Sequence, residues 1–298
     1  MTSKPAITAP APVTVIGLGN MGVPMASRLS QAGFQVTGFD LSDAARQRYA
    51  AAGGKIAKDA AAAVKDADVV ITLLPDGKAV RSAMESLTKD LKSGCIIMEM
   101  SSSDPIGTRS LGEAFISGGF EFIDAPISGG VKRAVDGTLA IMAGGDGATI
   151  DRVNALLSAM GRSIFRTGVL GSGHAMKALN NYVSAAGLIA AVEATQIGEK
   201  FGLDPGLIAD ILNASSGRNN TTEVKLKQFI ISKTFNAGFP LRLMAKDVRT
   251  ADGLAQAMGV PSPLADVCAK LWDEASLALG DQADHTEVGR YIEKLKLS

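Results

Sequence analysis

One lysine stands in an otherwise small, uncharged stretch, "GSGHAMKALNN" at residues 171–181. A helix repeats its face about every 3.6 residues, so Lys177 and Asn181, four apart, share one face, with Asn180 beside them. A lysine there could move a proton. Oxidising an alcohol removes the hydroxyl proton as the carbon gives up hydride, and an amine accepts that proton only when neutral. An apolar wall and a nearby positive charge favour the neutral form. Taken without its surroundings, Lys177 reads as an ordinary solvated helix lysine, so the weight falls on what the rest of the chain binds. His174, one turn earlier, reads as a first-turn residue near the mouth of the site rather than as a base.

A second candidate lies near the start. "VTVIGLGNMG" places Gly17, Gly19 and Gly22 in G-x-G-x-x-G spacing, with Leu18, Asn20 and Met21 completing the loop. The pattern alone is weak, because glycine-rich turns are common. Its context gives it meaning: a strand-like run precedes it, a helical one follows, and Asp40 closes the next strand-like run. The first glycine permits the tight turn, the second lets the backbone approach a pyrophosphate, and the third lets helix pack on strand. Asp40 could be a plain helix cap, but its place at a strand end suits the ribose hydroxyls of adenosine better. A carboxylate there repels a 2′-phosphate, and Leu41, Ser42 and Asp43 supply no cation to offset it. NAD is therefore favoured over NADP. Arg46 reads as a surface residue of the next helix.

Elements that could position these residues alternate through the first half. "PVTVIGLGN", "QVTGFD", "DVVITLLP", "CIIMEMSSSDP", "FEFIDAPISGG" and "TLAIMAGG" read as strands, with helical stretches between them and "GGKIA" as a short link. That alternation predicts a doubly wound, mostly parallel sheet, an α/β Rossmann domain over residues 13–172. From residue 173 to 298 the pattern turns all-helical. "HAMKALNNYVSAAGLIAAVEATQIGEKFG" reads as one long helix, apolar on most sides and hence buried or at a subunit interface. Further helices include "EVKLKQFIIS" and "LRLMAKDVRTADGLAQAMG". Residues 1–12, rich in Pro and Ala, read as a flexible lead-in.

At 298 residues two domains are expected, and 46% hydrophobic with 20% charged residues suits a soluble α/β protein. The net charge of zero argues against nucleic acid or an anionic membrane as main partner. Two histidines and two distant cysteines, Cys95 and Cys268, give no metal centre and no disulfide framework. Both thiols read as buried small hydrophobes in a reducing cytoplasm. The stretch "MTSKPAITAPAP" has no apolar core of signal-peptide length and no uncharged apolar run reaches a bilayer span, so a soluble cytoplasmic protein is expected.

Four motifs in order, "GLGNMG", "DAPISGG" at 124–130, "GSGHAMKALNN" and "KDVRTA" at 246–251, resemble the β-hydroxyacid dehydrogenase family, which includes 3-hydroxyisobutyrate dehydrogenase and tartronate semialdehyde reductase. "SSGR" at 215–218 and "DHTEVGRYIE" extend the resemblance over nearly the whole chain. The resemblance implies a 6-phosphogluconate dehydrogenase-like fold and an NAD-dependent oxidoreductase. Lys177 would be the catalytic acid/base, and Asn181 would place the substrate. Ser128, Gly129 and Gly130 would hold its carboxylate. Lys246 would lie near the nicotinamide, and Leu74 and Pro75 would line the ribose side. Ser102 stands where the family usually has threonine, keeping the hydroxyl without the methyl.

The motifs select an acid but not what hangs from the carbinol carbon. Hydroxyisobutyrate, glycerate, threonate, serine, threonine and sulfonate analogues all fit. The residues that would discriminate lie around 215–245: Arg218, Asn219, Asn220 and Phe239. Two alternatives stand beside this reading. An imine reductase has similar architecture but usually replaces the lysine and prefers NADP, so Lys177 and Asp40 both count against it. A catalytically silent NAD-binding module would tend to lose the lysine and gain basic segments. A homodimer or homotetramer is expected from the apolar helix.

Overall fold

The computed structural model describes residues 4–295, and the chain divides into two compact units, Met1–Lys177 and Ala178–Ser298. In the first, strands β1 (Pro12–Ile16), β2 (Gln35–Phe39), β3 (Lys55–Ile56), β4 (Val69–Thr72), β5 (Ile96–Glu99), β6 (Glu121–Asp124), β7 (Ile127–Ser128), β8 (Leu139–Gly145) and β9 (Gly161–Gly168) form one sheet. Its order is β3-β2-β1-β4-β5-β6-β8-β7, with β9 on β8. The helices are α1 (Gly22–Gln31), α2 (Asp43–Ala51), α3 (Ala60–Val64), α4 (Gly77–Leu87), α5 (Pro105–Ser117), α6 (Gly130–Asp136), α7 (Gly147–Arg152) and α8 (Asn154–Met160).

Strands β3 to β6 pair in parallel, as the alternation predicts. Successive side chains of a strand point to opposite faces. Accordingly Val69, Ile71, Ile96 and Met98 enter one core cluster with Val13, Met25 and Leu29. Val70 and Ile97 enter another with Met84, Leu111 and Phe115. Both faces are thus covered, which is why these strands read as continuous apolar runs.

Several details depart from the sequence reading. The sheet turns antiparallel where β8 meets β6 and β7. Strand β9 escapes notice because it is a mostly exposed run of Arg, Ser, Phe and Thr without an apolar face, and β3, inside the supposed link, is only two residues long. Residues 4–11 are not a loose lead-in. Ile7 N–H donates to Arg152 O at 2.7 Å, Arg152 Nε donates to Pro5 O at 2.9 Å, and Lys4 pairs with Glu121 at 2.9 Å. Residues 1–3 lie outside the described residues.

Helix α9 (Ser172–Phe201) begins in the first unit and continues into the second. The second unit adds α10 (Pro205–Ala214), α11 (Asn220–Val224), α12 (Leu241–Ala257), α13 (Pro263–Leu279) and α14 (Val288–Ile292). Its core gathers Leu188, Val192, Leu241, Met244 and Val248 around the fully buried Trp272. The segment expected as one helix at 223–232 splits. After α11 the turn widens to a π-helix, Leu226–Ile231. Helix α9 is not buried all round: Ala185, Leu188 and Val192 face the core, whereas Val183, Ile197 and Phe201 are exposed.

Both cysteines are buried and unpaired, and burial pushes the Cys95 thiol up to about 12. Among the described residues no helix is long and apolar enough to cross a membrane, and no group of His, Cys, Asp or Glu is arranged to hold a metal ion.

Candidate active site

The glycine loop joins β1 to α1, and each glycine has its own reason. Gly17 has φ +102°, and a Cβ on it would come within 2.2 Å of Leu73 O. A Cβ on Gly22, the first residue of α1, would come within 1.9 Å of Gly17 O, so helix and loop touch through bare backbone. A Cβ on Gly19 would meet nothing within 4 Å, leaving that side of the loop open. Leu18 is buried, Met21 half-buried and Asn20 exposed. Helices α2 to α5 and α7 each begin with a Ser or Asp side chain capping the first turn. Helix α1 has none and no acidic residue in its first turn. Its N–H groups and positive dipole end are therefore suited to a phosphate.

Asp40, just past β2, is drawn to this loop. Its Oδ2 accepts from Leu18 N–H at 2.7 Å and its Oδ1 from Ser42 N–H at 2.8 Å. Each carboxylate oxygen keeps acceptor capacity for a ribose hydroxyl. Arg46 does not simply point to solvent. Its guanidinium folds over the Phe39 ring, 5.8 Å from the centroid, and binds Asp40 O and the Asp43 carboxylate. The open Gly19 side, the uncapped α1 and this carboxylate together fit a dinucleotide.

The ends of β4 and β5 are tied together. Leu74 N–H donates to Ser101 Oγ at 3.0 Å, and that hydroxyl donates to Thr72 O at 3.4 Å. Leu74 and Ser102 are half-buried and Pro75 is exposed at these strand ends. Ser128 ends β7, and Gly129 and Gly130 follow with φ +135° and +69°, turns that a side chain would strain. A Cβ on Gly130 would meet nothing within 4 Å.

A buried cluster fastens the start of α9 to these strand ends, and the sequence reading missed it. Asp124, at the end of β6, accepts from Gly171 N–H at 2.7 Å and His174 N–H at 2.8 Å. His174 is not at a mouth: it is 1% exposed. Its Nε2 lies 2.9 Å from Glu99 Oε2 and 3.2 Å from Ser101 O, and its Nδ1 lies 3.1 Å from Thr108 Oγ1. Burial pushes the imidazole pKa down, but Glu99, with Asp124 behind it, outweighs burial and holds it above its ordinary value. Burial likewise raises Glu99, yet the charge and hydrogen bond of His174 bring it below the usual carboxylate range. Asp124 stays above that range because burial dominates there. Lys177, the last residue of this unit, follows the anchored turn directly. The spacing of His174 before Lys177 was visible in sequence; its acidic partners, far along the chain, were not.

In the second unit, Asn181 is 7% exposed. Its Nδ2 donates to Asp247 Oδ2 at 2.5 Å, and its Oδ1 accepts from Asn180 Nδ2 at 3.1 Å. Lys246 Nζ lies 3.5 Å from Asp247 Oδ1. The motif lysine and asparagine are thus brought together by Asp247, a residue passed over in the reading although it stands in "KDVRTA". Phe239 is packed edge-on to His285 at 5.7 Å between centroids. Asn219 caps α11 in a capping box with Thr222, and Arg218 pairs with Glu223. Asn220 is exposed.

Residues 12–168 match the family model described as the NAD binding domain of 6-phosphogluconate dehydrogenase. Residues 171–292 match that described as NAD-binding of NADP-dependent 3-hydroxyisobutyrate dehydrogenase. The chain is similar to the NAD-dependent L-serine dehydrogenase of Pseudomonas aeruginosa, 35% identical across 87% of this chain and 90% of that protein. It is 33% identical to the 2-(hydroxymethyl)glutarate dehydrogenase of Eubacterium barkeri, over 89% of each. The solved structure of Mycobacterium tuberculosis 3-hydroxyisobutyrate dehydrogenase with L-serine superposes with a TM-score of 0.89 at 32% identity, covering 95% of this chain and 99% of that one. The chain belongs to the β-hydroxyacid dehydrogenase family of NAD-dependent oxidoreductases.

Proposed function

We propose that the chain oxidises a small 3-hydroxy acid to its semialdehyde, or runs the reverse, with Lys177 taking or giving the hydroxyl proton. The observation that carries this reading is the anchored first turn of α9. Asp124 and the Glu99–His174 pair fix Gly171 and His174 to the ends of β5 and β6, so the next turn presents Lys177 from a rigid base. A proton-transfer group works only if held within hydrogen-bonding reach of its target.

Bound NAD supplies the acceptor for the hydride leaving the carbinol carbon. The loop Gly17, Leu18, Gly19, Asn20, Met21 and Gly22 holds the pyrophosphate, Asp40 the adenosine ribose, Leu74 and Pro75 the ribose side, and Ser102 and Lys246 the nicotinamide. Asp40 disfavours a 2′-phosphate, so NAD is preferred to NADP. Ser128, Gly129 and Gly130 hold the substrate carboxylate through hydroxyl and backbone N–H groups. Asn181, its amide set by Asp247, orients the substrate, and Phe239 contributes an apolar wall. Lys177 in its neutral form then accepts the hydroxyl proton in the oxidation direction. A homodimer or homotetramer in the cytoplasm is the form we expect, given the exposed apolar side chains of α9 and two unpaired thiols.

The test is Lys177→Ala. Turnover should fall by about 100-fold to 10,000-fold, the usual contribution of a general acid/base, while NAD affinity stays within a few-fold. Lys177→Arg should be nearly as damaging, because a guanidinium stays charged. Oxidation by the wild type should rise with pH as the lysine deprotonates, and that limb should vanish in both variants. Retention of most turnover in Lys177→Ala would sink the assignment.

A further inference from the structure

A second lysine points at α9 and has no role in the mechanism above. Lys225 closes α11 at the point where the chain widens into the π-turn, its carbonyl accepting from both Phe229 N–H at 2.9 Å and Ile230 N–H at 3.3 Å. Single π-turns recur at functional sites. The Lys225 Nζ donates to Ser184 Oγ at 3.3 Å. Ser184 is seven residues beyond Lys177 and three beyond Asn181 on α9. At about 100° per residue, Lys177, Asn181 and Ser184 fall within an arc of roughly 60°. The Lys225 ammonium therefore reaches the helix face that carries the proposed proton-transfer and positioning residues.

The ammonium is poorly supplied where it sits. It has three donors, and among the described residues its one hydrogen bond is to a neutral hydroxyl and it has no carboxylate within ion-pair distance. Asp284, the acid whose charge bears on it, is already engaged. Its Oδ2 accepts from Gly238 and Phe239 N–H at 2.7 and 3.1 Å, and its Oδ1 from Thr286 N–H and Oγ1 at 2.9 and 2.6 Å. Burial lowers the Lys225 pKa, and Asp284 only partly restores it. A shielded cation with unfilled donors is costly unless an anion completes it.

We propose that Lys225 is the anion-binding residue of a second substrate subsite, which selects 3-hydroxy acids carrying a second acidic group. This rests on the reading that Lys177 and Asn181 face the substrate. At 1.5 Å per residue, the backbone positions of Lys177 and Ser184 are about 10 Å apart. A four-carbon monoacid has its single carboxylate at the reacting end and none left for Lys225, whereas the second arm of the six-carbon 2-(hydroxymethyl)glutarate carries one.

A matched pair of substrates tests it: 2-(hydroxymethyl)glutarate and 3-hydroxyisobutyrate, which share the reacting centre and differ by the second carboxylate arm. Wild-type kcat/KM should favour the diacid by at least tenfold. Lys225→Met should cut kcat/KM for the diacid at least tenfold more than for the monoacid, mainly through KM, and Lys225→Arg should restore most of the difference. Equal loss on both substrates would make Lys225 merely structural, and no wild-type preference for the diacid would reject the subsite. A binding arm separates this from failure of the hydroxyacid reading. If neither substrate turns over, calorimetry of the NAD-loaded enzyme should still show glutarate binding at least tenfold tighter than isobutyrate, with the gap closed in Lys225→Met. The absence of that gap overturns the proposal on its own.

Discussion

Asp40 and Arg46 share one hydrogen-bonded turn after β2, and their chemistry pulls the cofactor preference in opposite directions. In the proposed cofactor site the carboxylate would repel a 2′-phosphate, while the guanidinium would welcome one were it not held by Asp40 O and Asp43. Asp40→Ala should therefore narrow the preference for NAD over NADP by about tenfold to a thousandfold, roughly 1.4 to 4 kcal/mol. Adding Arg46→Ala should take back part of the gain for NADP, because the freed cation is then gone. Paired KM values for the two cofactors check both variants, and a wild type that already prefers NADP refutes the role of Asp40. At the other residue pair, Asn181→Ala should lower turnover less than Lys177→Ala, since in the proposed mechanism Asn181 exchanges no proton. Asp247→Ala should mimic Asn181→Ala, because the amide loses the acceptor that orients it.

The Glu99–His174 pair joins two elements, the end of β5 and the first turn of α9. Removing one member of a buried ion pair leaves an uncompensated group and typically costs about 3–5 kcal/mol. Glu99→Gln should lower the thermal midpoint by several degrees, at about 2–4 °C per kcal/mol for a unit of this size. The double variant Glu99→Gln/His174→Gln should cost less than the sum of the two singles. The pH dependence follows from the directions of the shifts. His174 is raised, so its contribution is complete below its ordinary value of 6.5 and is lost as pH climbs through the folded value. Glu99 is lowered, so its contribution is present above its ordinary value of 4.5 and is lost as pH falls through the folded value. Asp124, raised, works against stability once ionised. Melting curves should show the pair supporting the fold most fully between about 4.5 and 6.5, with the alkaline loss much reduced in Glu99→Gln; an unchanged alkaline limb would show that other groups set it. Much of this scale was readable in the chain. The β-branched runs of β1, β4 and β5, the glycine loop and the length of α9 all carry local signals. Strand β9 and the π-turn carry none, because an exposed edge needs no apolar period and a widened turn keeps a helical composition. The His174 anchor was hidden for another reason: its partners are contributed by β5, α5 and β6, and only folding brings them to it.

Over the whole molecule, exposed apolar side chains concentrate in the second unit. Val183, Ile197 and Phe201 of α9, Leu207 and Ile211 of α10 and Leu277 of α13 are all more than half exposed. Apolar surface in that quantity usually marks an interface. Light scattering at micromolar concentration should give a dimer or tetramer, and Val183→Lys with Ile197→Asp should shift it toward monomer. A monomeric wild type would refute the proposed assembly. The placement of the two thiols has a further use. Cys95 lies just before β5 in the core of the first unit and Cys268 in the helical core of the second, both shielded and both held protonated by burial. A thiol reagent reacts with the thiolate of an exposed cysteine and not with these groups as they stand. Each is therefore a clock for the opening of its own unit. In pulsed labelling followed by peptide mapping, the order in which the two sulfurs become modified reports which half of the chain lets go first.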